Sequence, residues 1–243
     1  MATFIETETG AVPGERFLEE LEEIREDVTE GKPLRMKSVP GTYEEAAAVR
    51  RRGAGVTGVG LPKTNYERYL RVPIAEVRRA QLRKTIDEAG QDIFGGKYPA
   101  HSELDRIVNR AFGVTDEEMN AAGRKEASAE GLICIGWYMS MLREAPWPFG
   151  IGTALVSEGE KLNPKRRQWT LQYMDELREA YESWGMQNVD DATIRDDVHA
   201  EADVDHSNLD ADVIRDFIDS PEWQEQFRRI FALRIHQIQT WKL

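Results

Sequence analysis

The chain has 243 residues, 40% hydrophobic and 31% charged, which is enough apolar material for a buried core in one large or two small domains. Its formal net charge of −12 argues against nucleic acid as a partner, because gripping phosphate needs basic patches that would work against the field of the whole molecule. No stretch approaches the roughly 18 apolar residues that a membrane span needs, and the opening Met-Ala-Thr-Phe-Ile-Glu-Thr-Glu lacks the basic and apolar regions of a secretory signal. The expected compartment is the cytoplasm, with no membrane partner. The single cysteine, Cys134, excludes an internal disulfide and lies in an apolar run that suits a buried structural thiol.

Residues 1–63 read as an irregular N-terminal arm with short helices. Phe17, Leu18, Leu21, Ile24 and Val28 have helical spacing over Glu15–Thr29, closed by Gly31 and Pro33, and a second short helix is expected over Tyr43–Arg52. Gly53-Ala-Gly-Val-Thr-Gly-Val-Gly60 is glycine-rich, but no Lys-Ser/Thr pair follows it and no strand–helix unit frames it. It does not read as a phosphate loop.

Residues 64–243 read as a helical bundle. A run over Tyr66–Phe94 bends near Pro73 and presents Leu82, Ile86, Ala89 and Ile93 as its apolar stripe. Gly95-Gly96 and Pro99 break it. His101 opens a helix through Phe112, with Leu104, Val108 and Phe112 on its own face, and Gly113 ends that helix. Thr115 and Glu118 have the spacing of a capping box. Leu132–Leu142, the most apolar stretch, reads as a core helix. Pro146-Trp147-Pro148 separates it, as a lid or a tight corner, from a helix over Gly150–Glu160 on which Glu158 shares a face with Ile151, Ala154, Leu155 and Leu162, while Glu160 points away. Asn163-Pro164 begins a helix that reaches Trp184 and stops at Gly185. Asp190 or Asp191 is the expected cap of the next one. Ser207–Asp219 and Pro221–Trp241 are the expected last two. With no alternating strand pattern and no internal repeat, the fold class is all-α, seven or eight helices in one bundle.

The chemistry concentrates in Arg195-Asp-Asp-Val-His199-Ala-Glu-Ala-Asp203-Val-Asp-His206. On a helix, His199, Asp203 and His206 fall at about 0°, 40° and −20°, so two imidazoles and a carboxylate share one narrow stripe. Nitrogen and oxygen donors in this mixture suit Fe, Mn or Zn, and lean towards redox iron. A metal cluster in a bundle needs further ligands from facing helices, and His101 and Glu158 lie on apolar stripes where an unpartnered polar group would be costly. Glu88 lies off the apolar stripe of its own helix, and periodicity does not choose it over Asp87 or Asp92. Arg195, one turn before His199, is placed to grip a substrate carboxylate; the bland alternative pairs it with Asp191, Asp196 or Glu201.

The order Glu–His–Glu–His-x3-Asp-x2-His resembles the haem-oxygenase-like diiron oxidases and oxygenases. The residues that carry the resemblance are Ile86-Asp-Glu88, Gly95-Gly-Lys-Tyr-Pro-Ala-His101-Ser-Glu-Leu104, Gly152-Thr-Ala-Leu-Val-Ser-Glu158 and His199-x3-Asp203-x2-His206, within about residues 66–240. The resemblance implies a haem-oxygenase-like bundle in which Glu88, His101, Glu158, His199, Asp203 and His206 hold two Fe(II) that reduce O2 as co-substrate. It implies oxidation of a small amino acid or other carboxylic acid by C–H activation, leading to desaturation, C–C cleavage or cyclisation in a biosynthetic pathway. The twelve residues and the glycine break between Glu88 and His101 depart from members that keep both on one continuous turn pattern. Amine-oxygenating members carry an additional carboxylate on an earlier helix; the chain offers no convincing counterpart, Glu67 being the one residue left open, which favours C–H activation. N-oxygenation of an amine and a metal-free helical binding protein are the alternative readings, and a homodimer is among the expectations. A zinc hydrolase would not call for six donors, and the apolar setting of Cys134 suits a nucleophilic thiol poorly.

Overall fold

The computed structural model describes residues 10–31, 39–53, 66–89, 99–122, 129–158 and 164–240; at 87–89, 101, 157, 158 and 199–207, among other positions, it describes the backbone alone. Every regular element among the described residues is a helix: α1 Gly14–Thr29, α2 Tyr43–Gly53, a short segment over 66–71, α3 Ala75–Ala89, α4 His101–Ala111, α5 Asp116–Ala122, α6 Ala129–Glu144, α7 Trp147–Gly152, α8 Leu155–Glu158, α9 Pro164–Ser183, α10 Val189–Phe217 and α11 Pro221–Thr240. No described helix is long and apolar enough to cross a membrane.

These pieces outnumber the seven or eight helices expected, in part because local chemistry cuts two of the runs. Pro73 cannot donate its backbone N–H, and the chain leaves the helix at 72–74 before α3 begins. The expected Gly150–Glu160 helix instead starts at Trp147, with Pro148 in its first turn where a missing N–H costs nothing, and a turn at Thr153-Ala154 divides it into α7 and α8. Trp147 rests on Phe217 at 5.0 Å and Pro148 is buried, so Pro146-Trp147-Pro148 forms a packed corner.

The expected boundary at Ser207 is absent. With no glycine or proline between Val189 and Phe217, α10 runs unbroken for 29 residues, about 44 Å. Its N-cap is Asn188, so Asp190 and Asp191 are first-turn residues and not caps; their charges there still favour the positive end of the helix. The capping box forms in both directions, Thr115 N–H donating to Glu118 Oε2 at 2.8 Å and Glu118 N–H to Thr115 Oγ1 at 3.2 Å. Gly113 and Gly185, at φ 70° and 76°, close the helices before them in the left-handed region that glycine tolerates.

α10 is the axis of the molecule; α1, α3, α4, α7, α8 and α9 all pack on it. Two apolar cores form near its two ends. Around its C-terminal part, Ala211, Ile214 and Ile218 join Phe17, Leu18 and Leu21 of α1, Phe149 and Leu155 of α7 and α8, and Phe227, Phe231 and Ile235 of α11. The first helix of the arm is therefore a core element. Gly152 permits a close approach within this core, since a Cβ on it would lie 2.7 Å from both Ile214 Cγ1 and Phe227 Cζ. Near the N-terminal part of α10, Ala192 joins Val108, Ala111 and Phe112 of α4 and Leu177 and Tyr181 of α9, with Ala46 and Ala47 of α2 behind. Between these two parts of α10 lies its middle stretch, whose side chains over 199–207 are outside the described residues.

Candidate metal centre

Two ion pairs bracket that middle stretch. Arg195 Nε lies 2.9 Å from Asp105 Oδ1, with side chains only 21% and 13% exposed, and ties α10 to α4. At the other end Lys84 Nζ lies 3.0 Å from Asp210 Oδ2, both side chains fully buried, and ties α10 to α3; Gln81 Nε2 donates to Asp210 Oδ1 at 3.4 Å. Arg195 and Asp210 share one helical stripe with the buried Ala192 and Val213. Positions 199, 203 and 206 lie between them on that same stripe. The inward face of α10 is thus established by residues on both sides of the motif.

The pairs also set register. On α4 the chain runs from Asp105, beside Arg195, to Val108 and Phe112, which share a cluster with Ala192 and Val189. Moving forward along α4 moves backward along α10, so the two helices are antiparallel. One turn back from Asp105 is position 101, and one turn on from Arg195 is position 199; the backbone brings these two to the same level. On α3, Val77 shares a cluster with Val213 while Lys84 meets Asp210, again an antiparallel pair. One turn beyond Lys84 is position 88, and one turn back from Asp210 is position 206. Between α7 and α10, Trp147 meets Phe217 and Gly152 meets Ile214, so the chain passes towards earlier residues of α10 as it enters α8, whose last residue is 158. Three registers, each anchored on described side chains, converge on one segment of α10.

The side chains of Glu88, His101, Glu158, His199, Asp203 and His206 lie outside the described residues, as do those of Cys134 and Glu160. Among the described residues no group of three or more His, Cys, Asp and Glu is placed to hold a metal. What is described is the set of faces. Leu104, Val108 and Phe112 are fully buried, as the α4 pattern predicts, and position 101 shares their face. The α3 pattern misleads: Leu82 is exposed, and the buried face is instead Gln81 and Lys84. Glu88 lies off the expected apolar stripe but at the helical phase of these two residues. All of 151–156 is buried, so Glu158 follows a segment enclosed on every side.

Asp105, Lys84 and Asp210 are the residues that the sequence reading passed over. Asp105 follows His101 by one turn and Asp210 follows Asp203 by seven residues, spacings that keep both on the stripes already identified. Lys84 offers no such signal. Arg195 is engaged by Asp105 of another helix, a partner outside the acids near it in sequence. Glu67 is mostly covered and pairs with the half-exposed Arg143 at 2.6 Å. Behind the site, burial raises the Tyr173 phenol, and the nearby Asp196 carboxylate pushes it further up; burial raises Tyr181 as well. Donors of these types, three imidazoles and three carboxylates, fit a pair of iron ions. No protein-family model matches the chain, and no curated protein matches it.

Proposed function

We propose that this chain is a non-haem diiron oxidase or oxygenase of the haem-oxygenase-like type, acting with O2 on a small amino acid or other carboxylic acid. The observation that carries the reading is the convergence of registers: α3, α4 and the α7–α8 segment run antiparallel to α10 and bring positions 88, 101 and 158 towards the segment holding 199, 203 and 206. Glu88, His101, Glu158, His199, Asp203 and His206 would hold the metal. Two Fe(II), when bound, supply the electrons that activate O2 for attack on an unactivated C–H bond.

The chain's own contribution is placement and exclusion of water. Apolar cores flank this segment on α10, an arrangement that suits exclusion of water. The Arg195 guanidinium, held by Asp105, is the group assigned to a substrate carboxylate, since its planar fork fixes the substrate's carbons as well as its charge. Orientation matters most where the oxidant itself is unselective. Desaturation, C–C cleavage and cyclisation all begin from such a C–H activation.

Anaerobic titration tests the reading. Wild-type protein should bind about two Fe(II) per chain and then consume O2 when a carboxylic substrate is added. His199→Ala and His206→Ala should lose iron while keeping wild-type helicity. Protein that binds no iron with or without candidate substrates would be a metal-free helical binding protein, and the enzymatic reading would fall.

A further inference from the structure

Among the described residues, Asp105 is engaged through only one of its oxygens. Oδ1 pairs with Arg195, while Oδ2 is buried and has no hydrogen-bond partner among the described residues. A buried carboxylate oxygen without a donor is costly, so such an atom calls for a specific partner. Side chains on a helix lean towards its N-terminus, and Asp105 therefore leans over the turn that begins with His101. Position 101 lies on the same buried face as Leu104 and Val108, about 40° from Asp105.

We propose, resting on the diiron reading above, that Asp105 is a positioning residue whose Oδ2 accepts the ring N–H of His101 when His101 binds metal. An imidazole that ligates through one nitrogen carries its proton on the other. A carboxylate receiving that proton's hydrogen bond fixes the tautomer, stops the ring from turning and makes the ligating nitrogen more basic. Asp105 then joins two tasks in one side chain. Oδ1 holds the guanidinium assigned to substrate, and Oδ2 holds a metal ligand, so substrate and metal are referenced to the same rigid group on α4.

Loading the full chain with Zn(II), a diamagnetic stand-in for iron, gives a readout independent of activity. The four histidines of the chain make a small set of 15N-histidine signals. Zn(II)-loaded wild type should show a far-downfield, slowly exchanging ring N–H that is absent from His101→Gln. In Asp105→Asn, close to isosteric and expected to fold, that signal should shift and exchange faster, and the Fe(II) dissociation constant should rise about 10–100-fold. Asp105→Glu, which keeps the charge but displaces the oxygens, should recover part of the affinity. If Asp105→Asn leaves the His101 signal and the iron affinity unchanged, or if the Asp105-dependent signal belongs to His199, the proposal is overturned while the diiron reading stands. Wild type that binds neither Zn(II) nor Fe(II) overturns both.

Discussion

Lys84 and Asp210, 126 residues apart and both without solvent exposure, meet at 3.0 Å and lock α3 to the long helix α10. A buried ion pair of this kind is weak support for stability in itself, but removing one partner leaves a charge in a poorly solvating interior. Lys84→Met should therefore destabilise the fold by about 3–5 kcal/mol. Lys84→Met combined with Asp210→Leu should restore most of that loss. Urea denaturation of the two single variants and the double variant checks the coupling, and simple additivity would mean that the two residues do not act as a pair.

Arg195, proposed to grip the substrate carboxylate, is also the partner of Asp105. Arg195→Lys keeps a charge near Asp105 but loses the fork, so the substrate concentration for half-maximal rate should rise about tenfold or more, with iron content unchanged. Arg195→Ala should show the same kinetic defect together with a lower melting temperature, because Asp105 loses its counter-charge in a largely buried setting. Steady-state O2 uptake and thermal melts separate the two effects. Wild-type substrate affinity in both variants would confine Arg195 to a structural role.

Tyr181 is buried against Phe112 and Trp184, with ring centroids 5.2 and 5.3 Å away, and burial raises its phenol, as it does that of Tyr173. A phenol raised in the folded state stays protonated there while the unfolded chain ionises near its ordinary value of about 10. The unfolded state then holds fewer protons, and stability falls as pH rises above that value. Denaturation midpoints should be flat in this respect below about pH 9 and decline above it, and Tyr173→Phe should make the decline shallower. Tyr181→Phe should do the same without losing the ring contacts.

Gly152 sits where α7 crosses α10, and an added methyl would lie 2.7 Å from Ile214 and Phe227 in the most aromatic part of the core. Gly152→Ala should cost about 1–3 kcal/mol through overpacking, despite alanine's better helix propensity. Differential scanning calorimetry measures it. A stability equal to wild type would show that α7 can shift without strain.

The amino-acid sequence by itself determined the helical class and several helix ends written in glycine or a capping box, such as those at Gly113, Gly185 and Thr115–Glu118. These are local matters: φ restriction, missing donors and a repeat of 3.6 residues act over one or two turns. It also placed Leu104, Val108 and Phe112 on the buried face of α4 correctly. Tertiary structure alone decided which face of α3 is buried. Hydrophobic periodicity favoured Leu82, but a lysine that finds a buried carboxylate on another helix turns a polar face inward, and no local pattern reports that partner. The same holds for Arg195, whose pair with Asp105 forms across the α4–α10 contact, far from it in sequence. Register between helices is set by such long-range pairs and by the close approach at Gly152, which is why the convergence of positions 88, 101 and 158 on α10 appears only once the chain is folded.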